Sequence, residues 1–119
     1  MDILTSTAAE PGRMIAAREV TARQVTDAFL AQIDRVDDEI NAFLYVDAEG
    51  ARAQADRIDE RLDAGEQLGP LAGVPVAVKD LFCTEGVPTT AGSRILDGWR
   101  PPYSATVVRR LEDAGLVIL

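Results

Sequence analysis

Gly69-Pro70-Leu71-Ala72-Gly73-Val74-Pro75-Val76-Ala77-Val78-Lys79-Asp80 decides the fold. Val74, Val76 and Val78 are β-branched, alternate with small residues and follow Gly and Pro punctuation, so the stretch predicts a short buried strand. Lys79 then stands where the strand leaves the core. Burial disfavours an ammonium ion, so a lysine held toward an apolar interior yields a neutral amine that can take a proton from a hydroxyl nucleophile. On this stretch alone a structural reading is the commoner outcome: Lys79 surfaces at the strand end and pairs with Asp80.

Upstream, apolar residues recur at helical spacing. A first helix is expected from about Pro11 to Arg18, with Pro11 in its first position, where the missing N–H would have been unpaired anyway. Thr21 and Gln24 have capping-box spacing, and Val25, Ala28, Phe29, Ile33 and Val36 follow on one face. Asp37-Asp38-Glu39 closes this second helix as a solvated end, since neighbouring acids cannot flank a substrate from two sides as a glycosidase pair does. After a brief extended segment, Asn41 to Val46, Asp47 is placed to cap a third helix. Its Ala48, Ala51, Ala55, Ile58 and Leu62 keep one apolar stripe until Gly65. Residues 1–65 are thus a helical lead-in.

Downstream, Thr84 to Tyr103 is punctuated by Gly86, Pro88, Gly92, Gly98, Pro101 and Pro102 and reads as loop. Its Thr89, Thr90 and Ser93 hydroxyls lie where α/β proteins place chemistry, although turn-stabilising bonds to the backbone are the commoner role for such residues. Ser104 can cap a last helix through Val107, Val108, Leu111 and Ala114 to Gly115, and Leu116-Val117-Ile118-Leu119 reads as a second buried strand. Strand, loop, helix and strand over 66–119 make a βαβ unit, hence an α/β fold with a parallel or mixed sheet. An apolar strand ending on the carboxylate of Leu119 is expected to continue in a longer chain, which makes 1–119 a single incomplete domain.

Composition narrows the chemistry. A net charge of −8 opposes direct binding to nucleic acid phosphates, which relies on basic residues displacing counterions. Cys83 is the only cysteine, so no intrachain disulfide forms and a reducing compartment, the cytoplasm, is expected. Neither a membrane-spanning run nor a secretory signal is legible. The chain has no histidine, which removes Ser/His and Cys/His nucleophile pairs and the commonest metal ligand. Lys79 is also the only lysine, and arginine cannot act as a base near neutral pH. Without a histidine to activate it, Cys83 reads as a small filler residue, and Trp99 as a packing anchor for the loop. Gly73 to Lys79 is not a phosphate cradle, because Val78 stands where a P-loop needs glycine.

With these residues in view, the sequence resembles the amidase signature family from about Thr5 to Leu119. The resemblance is strongest over Gly69 to Asp80. It continues in Gly86-Val87-Pro88-Thr89-Thr90-Ala91-Gly92-Ser93 and in Trp99-Arg100-Pro101-Pro102-Tyr103-Ser104-Ala105-Thr106-Val107-Val108. Within that family the last two stretches are most similar to the glutaminase (A) subunits of tRNA-dependent amidotransferases. Ser104 stands where those subunits often carry Asp, and both residues cap helices well.

The resemblance implies the N-terminal part of an amidase signature fold in which Lys79 is the catalytic lysine. In the implied mechanism the lysine acts through a bridging serine, held by a cis peptide, on a nucleophilic serine that attacks the glutamine amide. Ammonia leaves, and water releases glutamate. Both serines belong to a Gly/Ser-rich region beyond residue 119, so the chain alone is expected to be inactive. The implied partners are the B and C subunits of the amidotransferase. The B subunit would hold the tRNA and use ATP and Mg to convert Glu-tRNA(Gln) to Gln-tRNA(Gln) or Asp-tRNA(Asn) to Asn-tRNA(Asn). No cofactor or metal is expected on this chain. Two alternatives stand beside this: part of a stand-alone amidase acting on a small amide, and an inactive interaction module.

Overall fold

The computed structural model describes residues 2–119. The chain runs α1 (Ala9–Ala16), α2 (Ala22–Ile40), α3 (Ala48–Asp63), β1 (Pro75–Val76), α4 (Thr106–Asp113) and β2 (Val117–Ile118), with 3-10 turns at Ile3–Thr5 and Arg94–Leu96. Among the described residues it is an α/β arrangement of four α-helices and a two-stranded parallel sheet, with Pro75 opposite Val117 and Val76 opposite Ile118.

The helical lead-in forms as its sequence dictates, with one shift. α1 begins at Ala9 rather than Pro11 and ends before Arg18, whose φ of 60° lies in the left-handed region. Pro11 occupies the third helical position, still within the first turn, where no intrahelical N–H bond is lost. At α2 the capping box is complete: Thr21 Oγ1 accepts the Gln24 N–H at 3.0 Å and Gln24 Oε1 accepts the Thr21 N–H at 2.9 Å. Asp59 on α3 accepts the next two free donors, Ala22 N–H at 2.8 Å and Arg23 N–H at 3.0 Å. The other end of α2 is closed by Asp37, whose carboxylate accepts the N–H groups of Ala42 and Phe43. That residue is therefore a cap and not merely a solvated acid.

α2 and α3 pack face to face around Ile15, Ala22, Val25, Ala51, Ala55, Ile58, Ala72 and Val117. Ala51 and Ala55 are fully buried, so the alanine stripe of α3 does bring the helices close. Burying Val25 or Ile15 contributes about 1.5–3 kcal/mol each. Glycine is required at one backbone crossing, because a Cβ on Gly12 would lie 2.2 Å from the Pro70 carbonyl oxygen.

The sheet is shorter than expected. Gly73 N–H donates to Gly115 C=O, Val117 N–H to Val74 C=O and Leu119 N–H to Val76 C=O, and there the ladder stops. Ala77 and Val78 follow Val76, the last residue of β1, and are not in regular strand structure, which stops short of Lys79. The N-terminal start of α4 also departs from expectation. Ala105 is its N-cap and provides no side-chain bond, while Ser104 Oγ instead accepts the Glu85 N–H at 2.9 Å.

Candidate functional site

Lys79 lines an open cleft of about 650 Å³ beyond the end of β1. The cleft is walled by the 42–45 segment after α2, by residues 77–82, by part of the following loop, and by Ile118 and Leu119. Most of its lining is apolar, including Phe43, Leu44, Tyr45, Leu81 and Phe82. Lys79 itself is exposed, not turned into the core. Its carbonyl accepts the Phe82 N–H at 3.0 Å, which makes residues 79–82 a tight turn. Among the described residues no ion pair involves Lys79.

Asp80 does not pair with its neighbour. Its Oδ1 accepts the Thr90 N–H at 2.9 Å, and its Oδ2 accepts the Thr90 hydroxyl and, at 3.4 Å, the Gly92 N–H. The Asp80 carbonyl accepts the Ala91 N–H at 2.8 Å. Partial burial pushes the Asp80 carboxyl up, but the Thr90 and Gly92 donors outweigh it and hold the group below the usual carboxylate range. The loop residues so held, Ala91 and Gly92, both have left-handed backbone, at φ of 50° and 69°.

The loop hydroxyls divide. Thr89 Oγ1 donates to Val87 C=O and Ser93 Oγ accepts the Ile95 N–H, which are turn bonds. Thr90 alone reaches across to the lysine turn. Nor is the turn-rich stretch irregular throughout. Gly86 N–H donates to Pro101 C=O, Thr89 N–H to Trp99 C=O and Ala105 N–H to Cys83 C=O, so its two arms are cross-braced. Arg100 adds a bond to Gly86 C=O at 2.6 Å, and its guanidinium lies 5.8 Å from the centre of the Tyr45 ring. Trp99 is a weaker anchor than expected, being 36% exposed. Cys83 is half-buried, and the neighbouring thiol pushes the Tyr103 phenol up. Among the described residues no group of three or more His, Cys, Asp or Glu is placed to hold a metal ion.

A family model described as Amidase matches residues 24–119. The chain belongs to the amidase signature family. It is 60% identical over 118 residues to the A subunit of the glutamyl-tRNA(Gln) amidotransferase of Streptomyces coelicolor, a match covering 99% of this chain and 24% of that one. The chain thus spans about a quarter of the length of the curated relatives it matches. Among solved structures of the amidase signature family, a bacterial aryl acylamidase superposes with a TM-score of 0.89 at 30% identity, covering 96% of this chain and 24% of that chain. The native peptide amidase of Stenotrophomonas maltophilia superposes with a TM-score of 0.91 at 32% identity, covering 97% and 24%. These amidases share the α/β arrangement of the present chain. No helix here is long and apolar enough to cross a membrane, among the described residues.

Proposed function

We propose that residues 1–119 are the lysine-bearing, N-terminal part of the glutaminase subunit of a cytoplasmic tRNA-dependent amidotransferase. In this reading they form one incomplete domain, a lead-in over 1–65 and the lysine-bearing portion over 66–119. The observation that carries this is the 60% identity to the A subunit of a glutamyl-tRNA(Gln) amidotransferase over nearly the whole chain. The site is compatible with it, because an exposed Lys79 with no carboxylate partner among the described residues, set in an apolar cleft, is accessible to a hydroxyl brought by other residues. The Lys79 amine would take a proton through a bridging serine from a nucleophilic serine, whose oxygen attacks the glutamine amide carbon. The C–N bond breaks, ammonia departs with the relayed proton, and water cleaves the acyl-serine ester to glutamate. The B and C subunits are the proposed partners. The ammonia would then amidate tRNA-bound, activated glutamate or aspartate on the B subunit, with ATP and Mg acting there.

Neither serine lies within this chain in that reading, so the isolated 119 residues are inactive. The test is a chimera in which they replace the matching quarter of the Streptomyces coelicolor protein, assembled with that organism's partner subunits. Glutaminase activity is expected in the chimera, is expected to vanish with Lys79→Ala, and is expected to be absent from the isolated chain. A Lys79→Ala chimera that still hydrolyses glutamine at the parental rate refutes the role of the lysine. A second reading, hydrolysis of a free amide, is favoured by the likeness to the peptide amidase fold. It predicts that the chimera hydrolyses peptide amides without its partners.

A further inference from the structure

We propose that Asp80 and Thr90 form a positioning pair that directs Lys79 into the cleft and keeps the adjacent carboxylate away from it. This rests on the reading of Lys79 as a base. Residue 80 is fixed on two sides: its carboxylate takes donors from Thr90 and Gly92, and its carbonyl takes the Ala91 N–H. Since Lys79 is joined to residue 80 and its own carbonyl is bound by Phe82 N–H, the peptide carrying the lysine is held from both directions. The donors come from a segment that an L-residue adopts reluctantly, with Ala91 at φ 50°, so the loop conformation and the clasp depend on each other. Asp80, Ala91 and Gly92 also line the same cleft as Lys79.

The electrostatic consequence is specific. A carboxylate one residue from a lysine is its nearest candidate partner, and such a partner favours the ammonium form, which cannot act as a base. Thr90 and Gly92 occupy Asp80 with hydrogen bonds, and Lys79 has no ion pair among the described residues. The other ionisable groups lining the cleft are Tyr45 and, in the isolated chain, the Leu119 carboxylate. Removing the Thr90 hydroxyl leaves Oδ1 on the Thr90 N–H but leaves Oδ2 with only the long 3.4 Å bond from Gly92, so that oxygen becomes available to Lys79.

The test uses the chimeric subunit in its assembled complex. Thr90→Val is expected to lower glutaminase kcat by about tenfold with KM within about twofold, and to move the acidic, rising limb of the pH–rate profile to higher pH by about one unit. Thr90→Ser, which restores the hydroxyl, is expected to recover both. Asp80→Asn keeps the size of the side chain and removes its charge. It is expected to lower kcat without the alkaline shift and, added to Thr90→Val, to abolish that shift. If Thr90→Val yields no folded subunit, Asp80→Asn decides: unchanged kcat overturns the proposal. An unaltered rate and pH profile in folded Thr90→Val overturns it as well. Activity that survives Lys79→Ala is a different failure, that of the lysine's role and not of the pair alone.

Discussion

The side-chain amide of Gln54 on α3 holds both backbone groups of Ile118 in β2: its Oε1 accepts the Ile118 N–H at 2.9 Å and its Nε2 donates to the Ile118 carbonyl at 3.3 Å. Val117 and Leu119 N–H groups point the other way, to β1. Gln54 thus stands in for one residue of a neighbouring strand on the outer edge of β2, where an unpaired strand would otherwise expose its donors and acceptors. The contact spans 64 residues and ties the last element to the middle of the helical lead-in.

Gln54→Ala is expected to destabilise the chain by about 1–3 kcal/mol, because Ile118 is buried and loses partners for both its backbone groups. Gln54→Glu keeps an acceptor for the Ile118 N–H but turns a carboxylate oxygen toward the Ile118 carbonyl, so it does not restore stability at neutral pH. Urea unfolding followed by circular dichroism measures both. A Gln54→Ala chain as stable as the parent would show that this edge needs no seal.

Asp59→Ala is expected to cost about 1–2 kcal/mol, since it leaves the Ala22 and Arg23 N–H groups at the start of α2 without an acceptor and removes a negative charge from a helix N-terminus. Thr21→Ala removes the neighbouring cap of Gln24 N–H. Because the two caps serve different donors of one turn, the double variant is expected to lose more than either single one. Amide hydrogen exchange at residues 22–24 is the direct readout. Unchanged protection in Asp59→Ala would refute the cap.

Gly73→Ala combines two penalties. The residue has φ of 81°, and an added Cβ would lie 2.7 Å from the Ala22 Cβ. The expected loss is about 2–4 kcal/mol, from left-handed backbone and overpacking together. Ala22→Gly in the same chain relieves the contact but not the backbone strain, so a double-mutant cycle should return a favourable coupling with incomplete recovery. Full recovery would mean that the backbone conformation carries no cost.

What the sequence made legible was local. The Thr21/Gln24 capping box and the Asp47 cap of α3 form between residues three apart, so spacing alone reveals them. The alanine stripe of α3 likewise follows from a single period. What escaped depends on partners far along the chain. Ser104 has the right chemistry to cap α4, yet Glu85, 19 residues upstream, claims its hydroxyl. Asp80 sits beside Lys79 but bonds ten residues ahead to Thr90, and Gln54 and Asp59 carry no motif that names their distant targets.

The Asp80 clasp also predicts an acid limit. Its carboxyl is held below the ordinary value of 3.8 in the folded chain, so the carboxylate is favoured by folding. Above that value the group is ionised in both folded and unfolded chains, and its contribution to stability is complete. As pH falls through 3.8 the unfolded chain binds the proton first. The contribution shrinks until the folded group is protonated as well, where the Thr90 hydroxyl and Gly92 N–H no longer face a charged acceptor. Urea stabilities of the parent and Asp80→Asn are therefore expected to differ by a constant amount from about pH 5 to 7 and to converge below about pH 4. Comparing the two chains cancels the Arg-paired carboxylates of Glu10, Asp27 and Glu66, which are also held low and weaken the fold in the same acidic range. A difference that widens on acidification has the opposite sign and excludes the clasp as a source of stability.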